Sequence, residues 1–287
     1  FLKNGGDIMR KLIIIFFFPY FQLLAQSGAD IDIDFGENGF TLVDINREDR
    51  GLDIAIQTDG KILQSGMSKP DGEWLITTVR YTTSGNLDSS WGGDGIVTTD
   101  IGENYDVSRS VLLQDDGKVV VVGGSSRNSS GIEDVNFLAI RYNTDGGLDE
   151  TFGDNGIASF NIQGSSELVE SGVIGKNGNI YIAGQANNTE NNYDVAILSI
   201  NSEGTLLTDF GQEGVAIADI DGNRDAVYDV ITQTDGKIIA VGSTQLGNAS
   251  GFNALAIFRF NQNGTLDNQF ANGGSLVIDM VGSSGDV

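Results

Sequence analysis

TDGKIIAVG (Thr234 to Gly242) sets a glycine beside a lysine at the head of an apolar run. Two readings compete for such a stretch: a phosphate-binding loop, or the corner of a β-hairpin. The stretch returns as TDGKILQSG from Thr58, DDGKVVVVG from Asp115 and KNGNIYIAG from Lys176. None has the upstream glycine of a P-loop, and no helical pattern follows. Asp-Gly or Asn-Gly between apolar runs instead favours a type I′ turn, in which both central residues take positive φ. The reading is a hairpin corner built on Gly60, Gly117, Gly178 and Gly236.

Outward from that corner, three further anchors recur in fixed order. An aromatic residue before a small one stands at Phe35-Gly36, Trp91-Gly92, Phe152-Gly153, Phe210-Gly211 and Phe270-Ala271, at spacings of 56, 61, 58 and 60 residues. A second glycine follows each turn glycine by six residues, at Gly66, Gly123, Gly184 and Gly242. A long apolar run then ends in another turn: TTVRYTTSG, LAIRYNTDG, AILSINSEG and AIFRFNQNG. The units are placed at 39–94, 95–155, 156–213 and 214–273, with a partial one from 274.

Each unit divides into four short strands, in the second unit GIVTTDI, SVLLQ, KVVVVGG and NFLAIRY. The continuously apolar strand, Val119 to Val122 or Ile238 to Val241, predicts burial on both faces. One such sheet cannot cover itself, so neighbouring units must. The expected fold is all-β: tandem four-stranded antiparallel repeats of about 58 residues, β-propeller-like. A β-solenoid and an open stacked array are the alternatives. The glycine that closes the apolar strand predicts a close backbone approach or a tight bend.

Composition narrows the chemistry. Among 287 residues, 16 are Lys or Arg and 40 are Asp or Glu, a net charge of -24. Like charge argues against nucleic acid and anionic membrane surfaces as partners. There is no cysteine and no histidine, which excludes disulfides, Cys/His zinc sites and His-dependent triads. Forty glycines and two prolines, without a collagen period, point to many tight turns.

MRKLIIIFFFPYFQLLAQS (Met9 to Ser27) reads as a secretory signal peptide: Arg10 and Lys11, then a short apolar core from Leu12 to Leu24, then Ala25 at the cut. That core is shorter than the roughly 20 residues of a membrane span. Residues 1–8 read as an upstream artefact, 9–25 as the leader and 26–287 as the repeat domain. The chain stops at VGSSGDV partway through the pattern, so further units downstream are expected. A secreted or cell-surface bacterial location follows as an expectation, with no membrane contact once the leader is removed.

Two side chains vary together. Arg80, Arg141 and Arg259 stand eight residues before Asp88, Asp149 and Asp267; the third unit replaces both, with Ser199 and Leu207. A buried arginine–carboxylate pair explains the pattern, because losing one partner costs more than losing both. The expected role is structural, pinning the loop between units. Asp32 takes the same place three residues before Phe35.

Leu148-Asp149 to Gly156, Asp225-Ala226 to Lys237 and Arg141-Tyr142 to Gly146 resemble the delta-60 repeats of large bacterial secreted or surface proteins. The resemblance covers about residues 30 to 287 and implies propeller-like blades. It implies no shared chemistry, since fold does not fix function.

Two candidate sites remain. DIDGNRD offers Asp219, Asp221, Asn223 and Asp225 at alternate positions, as at the start of a calcium loop. Arg224 stands where such a loop has glycine, and Val230 where it has glutamate. The plainer reading is a polar loop in which aspartates cap turns. Partial versions occur at Asp100, Glu103, Asn104 and Asp106, and at Asp44, Asn46, Glu48 and Asp49. Beyond that calcium candidate no cofactor is expected. Glu167 and Glu170 break the pattern of their unit and are read as drift; Trp74 is read as core or rim packing, with a sugar-stacking platform as the alternative.

The expectation is a scaffold or binding module without catalysis, a monomeric part of a larger chain, with an extracellular protein or glycan as partner. Recognition is expected on the variable loops of the two faces. The alternative is a carbohydrate-active propeller hydrolase using paired carboxylates.

Overall fold

A computed structural model describes residues 31–279, apart from 46–47, 71, 103–104, 127–134, 163–166, 188–191, 223 and 247–252. The leader and the eight residues before it lie outside the described residues. Residues 1–42 and 43–287 form two units. In the first, Asp32 to Phe40 makes an aromatic-glycine corner: Phe35 N–H donates to the Asp32 carbonyl, and Gly39 N–H to that of Phe35.

The second unit is all-β, and no helix occurs among the described residues. Four antiparallel sheets of four strands follow one another along the chain. The first holds β1 (Asp49–Ile56), β2 (Ile62–Ser68), β3 (Leu75–Tyr81) and β4 (Ile96–Thr99). The second holds β5 (Tyr105–Leu113), β6 (Val119–Ser126), β7 (Val135–Tyr142) and β8 (Ile157–Phe160). The third holds β9 (Glu167–Ile174), β10 (Ile180–Asn187), β11 (Tyr193–Ile200) and β12 (Val215–Ala218). The fourth holds β13 (Asp225–Thr232), β14 (Ile238–Gln245), β15 (Asn253–Phe260) and β16 (Ser275–Ile278).

Sheet and sequence unit are out of step by one strand. GIVTTDI, read as the opening strand of the second unit, supplies β4, the outermost strand of the first sheet, which pairs with β3. The Asp-Gly corner therefore joins the first and second strands of a sheet. The sheets stack face to face, and the first strands β1, β5, β9 and β13 lie beside one another along the inner rim. This is a propeller-like arrangement, and it is open at its ends.

Stacking explains the continuously apolar strand. Successive side chains on a strand point to opposite faces. On β6, Val119 and Val121 pack with Leu63, Ile76 and Trp91 of the first sheet, while Val120 and Val122 pack with Ile180, Ile182 and Leu198 of the third. All four are fully buried. Each such valine contributes about 1.5–3 kcal/mol by leaving water. The end sheets lack this cover among the described residues: Ile54 and Ile56 on β1, and Ile231 and Leu255 on β13 and β15, are more than half exposed.

The Asp-Gly corner differs from the expected type I′ turn. Gly60, Gly117, Gly178 and Gly236 have φ of 83°, 84°, 82° and 81°, but Asp59, Asp116, Asn177 and Asp235 do not take positive φ. Gly60 N–H donates to the Gln57 carbonyl and Gln57 N–H to that of Lys61. The loop is thus three residues long, a type I turn closed by one left-handed glycine. Asp59 stays right-handed because its Oδ1 accepts the Lys61 N–H, 3.1 Å away, a local bond that aspartate favours in turns.

Candidate functional site

Every inner strand carries one β-bulge, at the same place. Pairing skips one residue between Gly51 and Asp53, between Ser108 and Ser110, between Val169 and Ser171, and between Val227 and Asp229. The unpaired extra residues are Leu52, Arg109, Glu170 and Tyr228. The glycine opposite makes this possible. A Cβ on Gly66, Gly123, Gly184 or Gly242 would stand 1.8–1.9 Å from the carbonyl oxygen of Arg50, Val107, Leu168 or Ala226. The recurrent glycine after each turn thus admits the buckled backbone of the strand beside it. A bulge re-aims a side chain. Here Arg109 and Glu170 are partly exposed while Ser108, Ser110, Val169 and Ser171 around them are buried.

Hydrogen bonds between sheets fix this rim. Val111 N–H donates to Asp53 Oδ2 at 2.7 Å, and Gly172 N–H to Ser110 Oγ at 2.9 Å. Ser171 Oγ donates to Asp229 Oδ1 at 2.8 Å, and Gln185 Nε2 to the Val227 carbonyl at 2.8 Å. On the frame so formed, Arg109 Nη2 lies 3.9 Å from Glu170 Oε2. Arg109 Nε is buried with no hydrogen-bond partner among the described residues. Burial pushes the Glu170 carboxyl up, opposed by the Arg109 charge and a hydrogen bond from Gln185. Tyr228, 58% exposed, shares a 3.2 Å hydrogen bond with Ser243. One rim position therefore presents an apolar group, a guanidinium, a carboxylate and a phenol in four successive sheets.

The arginine–aspartate positions form a different, repeated constellation. Arg80 Nε donates to Asp88 Oδ2 at 2.8 Å, Arg141 Nε to Asp149 Oδ2 at 2.7 Å, and Arg259 Nε to Asp267 Oδ2 at 2.8 Å. A third member joins each pair. Lys61, Lys118 and Lys237, the lysines of the turn, reach the same oxygens at 3.1, 2.8 and 2.8 Å. In the third sheet all three are replaced, by Asn179, Ser199 and Leu207. The guanidinium also bridges sheets: Arg80 Nη1 donates to the Thr144 carbonyl at 2.7 Å, and Arg141 Nη1 to that of Ser202. Each arginine lies over its corner ring, Trp91, Phe152 or Phe270, at 4.6–4.8 Å. Burial alone would push the Asp88 and Asp149 carboxyls up. Hydrogen bonds from Ser90 and Lys61, or Lys118 and Thr151, with the arginine charge, outweigh it and hold both well below the usual carboxylate range.

Of the four residues read as a calcium loop, Asp219 and Asp225 come together, but with Asp194 of β11 as the third acid. Asp221 sits in the left-handed region, φ 57°, exposed on the loop and outside this group. Asn223 lies outside the described residues, as do Glu103, Asn104 and Asn46. Trp74 is 7% exposed and packs with Met67, Tyr105 and Val107, so it offers no sugar-stacking face.

Glu170 is the one residue of the rim row singled out by sequence; the structure places it at the bulge of β9, beside Arg109. Arg109 and Tyr228 were missed. Their signal is visible in GLDIAIQ, SRSVLLQ, VESGVIG and VYDVITQ, where the second letter changes chemical class each time.

A family model described as a β-propeller domain of unknown function, DUF5122, matches residues 114–152 and 233–270. No curated protein matches the sequence. Among solved structures, a protein of unknown function from Dyadobacter fermentans is similar at 12% identity and a TM-score of 0.48, over 76% of this chain and 68% of that one. A polysaccharide lyase of family PL25, an ulvan lyase, is similar at 10% identity and a TM-score of 0.49, over 77% of this chain and 58% of its own length. A thermostable family-43 glycoside hydrolase is similar at 14% identity and a TM-score of 0.41, over 78% and 72%. No activity is carried over from them.

Proposed function

We propose that the chain is a propeller-like binding module of the bacterial exterior, of the delta-60 kind, that holds a neutral glycan on its inner rim without hydrolysing it. One observation carries the reading: the bulge places Arg109, Glu170 and Tyr228 outward at equivalent positions of neighbouring sheets, on strands otherwise fixed by repetition. A sugar needs these groups. Its hydroxyls accept from a guanidinium and donate to a carboxylate, and its C–H face packs on a phenol ring that keeps a polar tip. The partly exposed end of the Arg109 guanidinium, 3.9 Å from Glu170, offers such a ligand its donors. The net charge of -24 opposes polyanions, which favours a neutral ligand. The leader-like stretch at 9–25 supports export.

A glycan array probed with the purified chain tests the reading, with each hit incubated overnight and its products separated by chromatography. Binding with intact glycan supports a binding module. Cleavage supports the hydrolase alternative, with Glu170 as its acid. An array without hits removes glycan recognition.

A further inference from the structure

We propose that Asp194, Asp219 and Asp225 bind one divalent cation, with calcium preferred, between the third and fourth sheets. The proposal stands apart from the rim and does not depend on it. One ligand oxygen from each residue lies within 4.8 Å of the others. That is the widest separation two ligands of one calcium ion can have at about 2.4 Å each. Asp194 and Asp225 are buried, at 8% and 0% exposure, so neither charge is screened by bulk water. Three carboxylates this close repel one another, and a cation removes the repulsion.

Hydrogen bonding leaves room for the ion. Asp225 Oδ2 accepts the Ile220 N–H at 2.6 Å, and Asp219 Oδ1 accepts that of Gly222 at 2.9 Å. Asp225 Oδ1 has no hydrogen-bond partner among the described residues, and neither has the fully buried Thr244 Oγ1 across the ladder. Burial, with the charges of Asp219 and Asp194, pushes the Asp225 carboxyl up, and nearby Thr244 and the Ile220 N–H only partly oppose it. The cationic side chain of the loop, Arg224, is stacked over Tyr193, 4.8 Å from its ring centre. Asn192 Nδ2 ties the loop to the strand that brings Asp194, by a 3.0 Å hydrogen bond to the Gly222 carbonyl.

The second sheet supplies an internal comparison. Asp100 and Asp106 stand where the fourth sheet has Asp219 and Asp225, and Asp106 Oδ2 likewise accepts a backbone N–H, from Ile101 at 3.0 Å. Its other oxygen is satisfied, by Ser125 Oγ at 2.7 Å. The position of Asp194, opposite the residue two beyond the bulge glycine, is Leu75 in the first sheet. Two acids with satisfied oxygens make a turn cap. The third acid and the unused oxygen appear together, and only that combination calls for a cation.

Calorimetric titration of the chelator-treated chain with calcium chloride, and separately with magnesium chloride, tests this. One calcium per chain is expected, with a weaker response to magnesium, which demands stricter octahedral geometry. Asp194→Asn should weaken calcium binding on the order of a hundredfold, because affinity follows ligand charge. Asp194→Leu copies the first sheet's residue, so it should fold and fail to bind. Asp100→Asn and Asp221→Asn should bind like the parent. No heat and no rise in melting temperature at about 10 mM calcium, or binding untouched by either Asp194 variant, overturns the proposal.

Discussion

Gly123 faces the carbonyl of Val107 so closely that a Cβ on the glycine would stand 1.9 Å from that oxygen. The buckle on one side and the missing side chain on the other are a single feature, and it recurs in all four sheets. Gly178 is a useful contrast: its φ is +82°, yet nothing lies within 4 Å of an added Cβ.

Alanine at these two glycines should therefore behave differently. Gly178→Ala should cost about 1–2 kcal/mol, the strain of a left-handed L-residue. Gly123→Ala must also displace backbone and should cost more than about 4 kcal/mol, in the range kept for severe core defects. Urea midpoints of the two variants check the order. Equal costs would mean that the strand opposite Gly123 is not bulged.

The Lys118–Arg141–Asp149 group should be expensive to break and cheap to replace. Arg141→Ser leaves a buried carboxylate short of one of its two cationic partners and should destabilise by about 3–5 kcal/mol. Lys118→Asn, Arg141→Ser and Asp149→Leu together reproduce the third sheet's residues and should cost clearly less than the single change. Chemical denaturation of the single and triple variants decides, and strict additivity would contradict the coupling.

Acid should weaken the fold through the same aspartates. The folded carboxyls of Asp88 and Asp149 lie below the ordinary range, so the unfolded chain binds protons first as pH falls. Their contribution is complete above the unfolded pKa of about 3.9 and is lost as pH drops below it. The urea midpoint should fall between pH 5 and pH 3, and by less in the triple variant, which lacks one of these carboxylates.

Much of the fold was legible because it rests on repetition. Val119 to Val122 announced a strand covered on both faces, and Asp116-Gly117 a hairpin corner. The phase of the units was not legible: a period reports length, while the pairing of β8 with β7 depends on where the chain crosses between sheets. The turn type was misjudged because Asp-Gly suits both a two-residue and a three-residue loop, and the ladder on either side decides. Lys118 escaped notice beside Arg141 and Asp149 because turn residues lie far along the chain from the corner they reach. Asp194 was missed because it stands on β11, well before Asp219 and Asp225 along the chain. A bulge breaks the alternation by which inward and outward residues are told apart, so Arg109 read as one more strand residue.

The most direct test of the account is titration of the strongest array glycan against the parent chain and three variants, Arg109→Ala, Tyr228→Ala and Lys176→Ala. Saturable binding is expected, weakened at least about tenfold by each rim change, the loss of one hydrogen-bonded or stacked group, and unchanged by Lys176→Ala on a turn away from the rim. Affinity that survives both rim variants, or that falls only with Lys176, would contradict it.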